Sequence, residues 1–135
     1  MKQIVTAFLV VLLSFPVFAQ KMGKNKRVAI SAIEKHEQDL IRASDSIWAL
    51  AETAFEEDGS AEILARMAEE NGFQVERGVA GMPTAFVATF GSGRPVISVL
   101  GEFDALPGIS QKAQPTKEPL NEGAAGHGCG HNLFG

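Results

Sequence analysis

Cysteine is almost missing from this sequence: Cys129 is the single one in 135 residues. An internal disulfide framework is thereby excluded, as are zinc modules built on paired cysteines. Basic charge is also scarce, with 12 Lys+Arg against 16 Asp+Glu for a net charge of −4. A sequence-independent grip on nucleic acid needs a basic field, so no nucleic-acid partner is expected. Internal repeats are absent, and no segment after the first twenty residues is apolar enough to cross a membrane. What remains is 45% hydrophobic and 21% charged, an ordinary globular composition. A length of 135 residues suggests one domain or part of one.

The chemically capable residues are unevenly spread. Cys129, His127 and His131 fall within Gly123–Gly135, together with five of the 14 glycines. A chain whose most loaded segment is its last reads as an N-terminal fragment of something longer.

At the other end, Lys2 precedes an apolar stretch from Ile4 to Leu13, followed by Pro16 and the small residues Val17 and Ala19. That pattern predicts a cleavable signal peptide over residues 1–19, cut after Ala19. The apolar run is too short, and too soon broken by Pro16, for a stable membrane anchor. The expected location is secreted or periplasmic. In such an oxidising compartment a free thiol is a liability, which favours a metal or a buried site for Cys129. Residues 20–27 read as a mobile polar leader, and 28–135 as the folded portion.

Within that portion, Ile30, Ile33, Leu40, Ile41, Ile47, Trp48, Ala51 and Phe55 recur at helical spacing over Val28–Glu57. The pattern predicts one long amphipathic helix, or two with a break near Ser44–Ser46. Asp58-Gly59-Ser60 should end it, with Ser60 capping a second helix over Ala61–Asn71 that stops at Asn71-Gly72. Beyond Phe73 the period becomes extended. Gln74–Val79 alternates weakly, while Thr84–Phe90 and Pro95–Leu100 read as a hairpin joined by Gly91-Ser92-Gly93-Arg94. Val96–Leu100 is apolar enough for a strand buried on both sheet faces. Gln111–Glu122 is a polar loop. Helices followed by strands indicate the α/β class.

Two clusters carry the chemistry. Glu102 and Asp104, two apart just past a buried strand, leave an extended chain on one side, where open α/β sheets place ligands. An acidic strand end before the Leu106-Pro107-Gly108 turn would look the same. The second cluster is Gly126-His127-Gly128-Cys129-Gly130-His131-Asn132. A thiolate and two imidazoles are good ligands for a divalent transition metal, and the glycines let the backbone fold closely around an ion. Cys129 and His131 are the candidate ligands, with Glu102, Asp104 and His127 as further ligands or supports. A thiol nucleophile at Cys129 with a histidine base, or a non-catalytic module binding a metal or partner, are the rival uses. His36 is a surface histidine.

Gly-Glu-Phe-Asp-Ala-Leu-Pro-Gly at 101–108, followed by Gly-His-Gly-Cys-Gly-His-Asn at 126–132, resembles the aminoacylase/carboxypeptidase-type metallopeptidase family. The similarity is greatest to its amidohydrolase branch, on the aminobenzoyl-glutamate hydrolase side, where Asn132 also points. The resemblance covers roughly Ile33 to Gly135. It implies the N-terminal portion of an α/β/α catalytic domain holding two divalent metal ions, zinc or manganese, with the lid and dimerisation domain absent from this chain. It implies hydrolysis of an amide in an N-acyl amino acid, an aminobenzoyl-glutamate-like compound or a dipeptide, and a homodimer for the longer protein. Carried onto this sequence, Cys129 and His131 match metal ligands and Asp104 matches the aspartate that supports the metal centre. Glu102 stands where other branches place a ligand histidine, and His127 matches a supporting residue. The general-base glutamate has no counterpart in these residues, so the fragment alone is expected to be inactive.

Overall fold

The computed structural model describes residues 22–135. The expected signal peptide and its cleavage after Ala19 lie outside the described residues. The chain divides into two compact units, one up to Lys35 and one from His36 to Gly135. The described part of the first is helical from Lys24 and largely exposed, Val28 and Ile33 included. Its helix therefore begins inside the stretch read as a mobile leader. No helix among the described residues is long and apolar enough to cross a membrane.

Helix α1 runs Lys24–Leu50 without the break considered near Ser44–Ser46. It stops short of the expected Glu57, because Ala51 takes a left-handed φ of 47° and turns the chain away. Ile47 is fully buried on its inner face, with Ala43 close behind, whereas Leu40 and Ile41 stay half-exposed and Phe55, beyond the helix, is exposed.

Helix α2 covers Asp58–Glu70, so Asp58-Gly59-Ser60 forms its first turn rather than a gap before it. The expected cap at Ser60 is replaced by a carboxylate from outside the helix. Glu52 accepts hydrogen bonds from the Gly59 N–H at 2.9 Å, the Ser60 N–H at 2.8 Å and the Ser60 hydroxyl at 2.7 Å. The two amides have no partner within the helix, and a negative charge at its N-terminus also suits the helix dipole. Burial tends to raise the Glu52 carboxyl, but these three bonds outweigh it and hold the group below the ordinary carboxylate range. The other end stops where the sequence predicts. Gly72, at φ 86°, donates to Glu69 O at 2.9 Å, and the Asn71 side chain donates to Met67 O at 2.8 Å.

The sheet is a two-stranded antiparallel pair, β1 (Gln74–Arg77) and β2 (Phe86–Thr89), with Gln74 opposite Thr89 and Arg77 opposite Phe86. Both strands pack on α2. Arg77 reaches back to Glu69 and, at 3.3 Å, to Glu62, while Thr84 donates to the buried Glu57 carboxylate at 2.7 Å. The architecture is mixed α and β, as expected. The hairpin is not the expected one, since β2 pairs backwards with β1.

Pro95–Leu100 forms no strand, which corrects the expectation of a doubly buried one. Val96, Ile97, Val99 and Leu100 are 81–94% exposed. β-structure gains its stability from paired edges and covered faces, and the described residues supply neither beside this segment.

Candidate metal centre

The two motifs are separate in sequence, and the backbone sews them together. Leu106 and Gly126 exchange both N–H···O bonds at 3.0 Å, forming an antiparallel bridge, and Ser110 N–H donates to Ala124 O at 2.9 Å. On its other side the first motif is tied to the turn after α1. Ala105 N–H donates to Glu52 O at 2.6 Å, and Ala105 forms a parallel bridge with Thr53. Glycine at 126 is required sterically: a Cβ there would lie 2.6 Å from Ile109 O. Ala105 is one of the few well-covered apolar side chains, and its neighbour Asp104 is held at the junction.

Three side chains converge at that junction. His131 Nδ1 lies 2.8 Å from Asp104 Oδ1 and 3.2 Å from Asp104 O, while His131 Nε2 lies 2.9 Å from Glu102 Oε2. These are a group of ligand-type atoms close enough to share one cation. The imidazole and the Asp104 carboxylate are mostly covered, at 18% and 25% side-chain exposure, and the Glu102 carboxylate faces outward at 64%. Phe134 stands edge-on to the His131 ring at 6.4 Å between centroids.

The geometry constrains where the protons are. Asp104 Oδ1 only accepts, so Nδ1 carries the hydrogen that joins them. In the neutral ring Nε2 is then a lone pair facing a second acceptor, Glu102 Oε2, at 2.9 Å. Two acceptors at that distance need a positive centre between or beside them. A second proton provides one, giving an imidazolium between two carboxylates. A divalent cation provides the other, with Nε2 and Oε2 as donors and Asp104 as the carboxylate that orients the ring. That last pattern, carboxylate to histidine to metal, is the usual support of a metal-bound imidazole, and nitrogen and carboxylate oxygen suit zinc or manganese. The residues fit a cation.

The remaining residues of the second motif are placed differently. Cys129 is exposed and outside this three-residue group. His127 turns the other way, with Nε2 at 3.1 Å from the carbonyl oxygen of Ile47.

Comparison with known proteins gives this local geometry a context. Over 107 residues, 77% of the chain, the sequence is 52% identical to a p-aminobenzoyl-glutamate hydrolase subunit of Escherichia coli (strain K12). The chain is thus similar to part of that subunit over most of its own length. No family model matches it. It spans 22% of that relative's length, so the match speaks for one part of a longer relative.

The site also uses residues that the sequence alone does not single out. Glu52 caps α2 and, through its backbone carbonyl, holds Ala105 beside the site. Ser44 and Ile47 on α1 receive Asn132 and His127. Nothing in the helical spacing of α1 marks a carbonyl as an acceptor. Glu52 falls inside the expected first helix, eight residues ahead of Ser60, so no local signal marks it as a cap.

Proposed function

We propose that this chain carries part of the metal site of an amidohydrolase that cleaves an amide bond in an N-acyl amino acid, an aminobenzoyl-glutamate-like compound or a dipeptide. The observation that carries the reading is His131 held between Asp104 and Glu102. The 52% identity to a hydrolase component supports the reaction class. Because the chain spans 22% of that relative, the activity is proposed for the whole protein. The α/β/α catalytic domain and its two-metal composition belong to the same proposal.

His131 Nε2 and Glu102 Oε2 would hold a divalent ion, with the exposed Cys129 thiol as a further donor. When bound, the ion supplies Lewis-acid polarisation of the amide carbonyl and lowers the pKa of a water. Asp104 orients the imidazole through Nδ1–H, so that Nε2 is the nitrogen turned toward the cation. The carboxylates of Glu102 and Asp104 also place negative charge where a cation must be attracted from water. Proton transfer to the leaving amine needs a further acid–base group, which the family resemblance assigns to a glutamate outside these residues. Export through a signal peptide at residues 1–19, and assembly with further subunits, complete the proposal.

The test is release of p-aminobenzoate from p-aminobenzoyl-glutamate by the whole protein and its His131→Ala variant. Activity in the parent with loss in the variant supports the reading. Undiminished activity in the variant contradicts it.

A further inference from the structure

Two side chains of the second motif are used for something other than the cluster of Glu102, Asp104 and His131. His127 Nε2 is 3.1 Å from Ile47 O, and Asn132 Nδ2 is 3.0 Å from Ser44 Oγ and 3.5 Å from Ser44 O. Ser44 and Ile47 are three residues apart on α1, so they occupy one face of the helix. His127 and Asn132 lie on either side of Cys129 and His131. The segment that bears the candidate donors is therefore pinned to one stripe of α1 at both ends.

The chemistry of each pin is definite. A carbonyl oxygen only accepts, so the His127 ring carries its hydrogen on Nε2 and donates it to Ile47. Nδ1 is then left as a lone pair, buried and without a partner among the described residues. A buried acceptor without a donor is costly, which leaves the Nε2–Ile47 bond as the polar contact that favours this ring placement. Ile47 is itself the fully buried side chain of α1, which gives the pin a rigid base. Asn132 has the same design, since its amide donates to a hydroxyl and a carbonyl of the helix. Between the pins Gly128 packs closely against Ile109, whose Cδ1 leaves no room for a Cβ, and Gly130 takes φ 84°. The pins add to the Leu106–Gly126 bridge and the Asp104–His131 bond in holding the segment that carries Cys129 and His131.

We infer that His127 and Asn132 are positioning residues, which fix Cys129 and His131 against Ser44 and Ile47 of α1 and so preset the cation site. This inference rests on the metal reading above for its affinity test, and on loop rigidity alone for a second test. The full chain is compared with His127→Leu, His127→Gln, Asn132→Leu and Ser44→Ala. The first readout is Mn²⁺ and Zn²⁺ affinity by calorimetric titration. The second is amide hydrogen exchange of the metal-free proteins over Gly126–Asn132, with α2 as internal reference.

Supporting partners of metal ligands are worth about 10–100-fold in affinity. His127→Leu and Asn132→Leu are expected to weaken cation binding by that factor. Both should exchange faster over Gly128–Gly130, with α2 unchanged. Ser44→Ala, which leaves the motif intact, should show the same changes to a smaller degree. His127→Gln should retain most of the affinity, because its amide can still donate to Ile47 O. Parent-like affinity and exchange in both leucine variants overturn the inference. Equal loss in His127→Gln and His127→Leu also overturns it, because Nδ1 would then be a ligand. A parent chain that binds neither cation defeats the metal reading, and the exchange data then decide positioning alone.

Discussion

His131 Nδ1 and Asp104 Oδ1 stand 2.8 Å apart, a side-chain hydrogen bond across 27 residues of sequence that adds to the Leu106–Gly126 bridge between the two motifs. That bond sets the tautomer of the ring and turns Nε2 toward Glu102. It predicts that Asp104→Asn, which can present its amide N–H to the ring and reverse the tautomer, lowers divalent-cation affinity by about 10–100-fold. Titration with Mn²⁺ and Zn²⁺ checks this. Glu102→Gln should lower affinity as well, through loss of a charged donor.

Glu52 ties the start of α2 to the turn beside the site. Glu52→Ala removes the acceptor for three donors at once and is expected to cost about 0.5–2 kcal/mol, as other lost helix caps do. Because the folded carboxyl sits below its ordinary value, its contribution is complete above the unfolded pKa and fades as pH falls through the folded one. Chemical denaturation of parent and variant should therefore differ at neutral pH and converge in acid.

Gly126 packs against Ile109 O with no room for a methyl group. Gly126→Ala should lower stability by about 1–3 kcal/mol through overpacking, read as a fall in melting temperature. Gly23→Ala, where a Cβ meets nothing within 4 Å, should leave it unchanged.

Cys129 is exposed, so iodoacetamide should alkylate it readily in metal-free protein. If the thiol is a further cation donor, Mn²⁺ or Zn²⁺ should slow the reaction, as followed by mass spectrometry. A thiol nucleophile would react at the same rate with or without the ion.

The legible parts of the sequence were those governed by local chemistry. α2 and its stop at Asn71-Gly72 followed from spacing and from glycine's tolerance of positive φ. The convergence of Glu102 and Asp104 on one side followed from the two-residue repeat of an extended chain. What could not be read there was set by partners distant in sequence. Val96–Leu100 has the composition of a buried strand, yet a strand is defined by its neighbours, and β1 rather than this segment pairs with β2. The early end of α1 depends on the left-handed turn at Ala51, a residue with high helix propensity. The use of Ile47 O and Ser44 as anchors depends on where the second motif returns, 80 or more residues later.

The central claim is that Glu102, Asp104 and His131 belong to a metal site that serves amide hydrolysis. Its most direct test is hydrolysis of p-aminobenzoyl-glutamate by the whole protein before exhaustive chelation, after it, and after return of Mn²⁺ or Zn²⁺. The account predicts activity that is lost on chelation and restored by the cation, with no restoration in His131→Ala. Full activity in protein shown to be free of metal would contradict it.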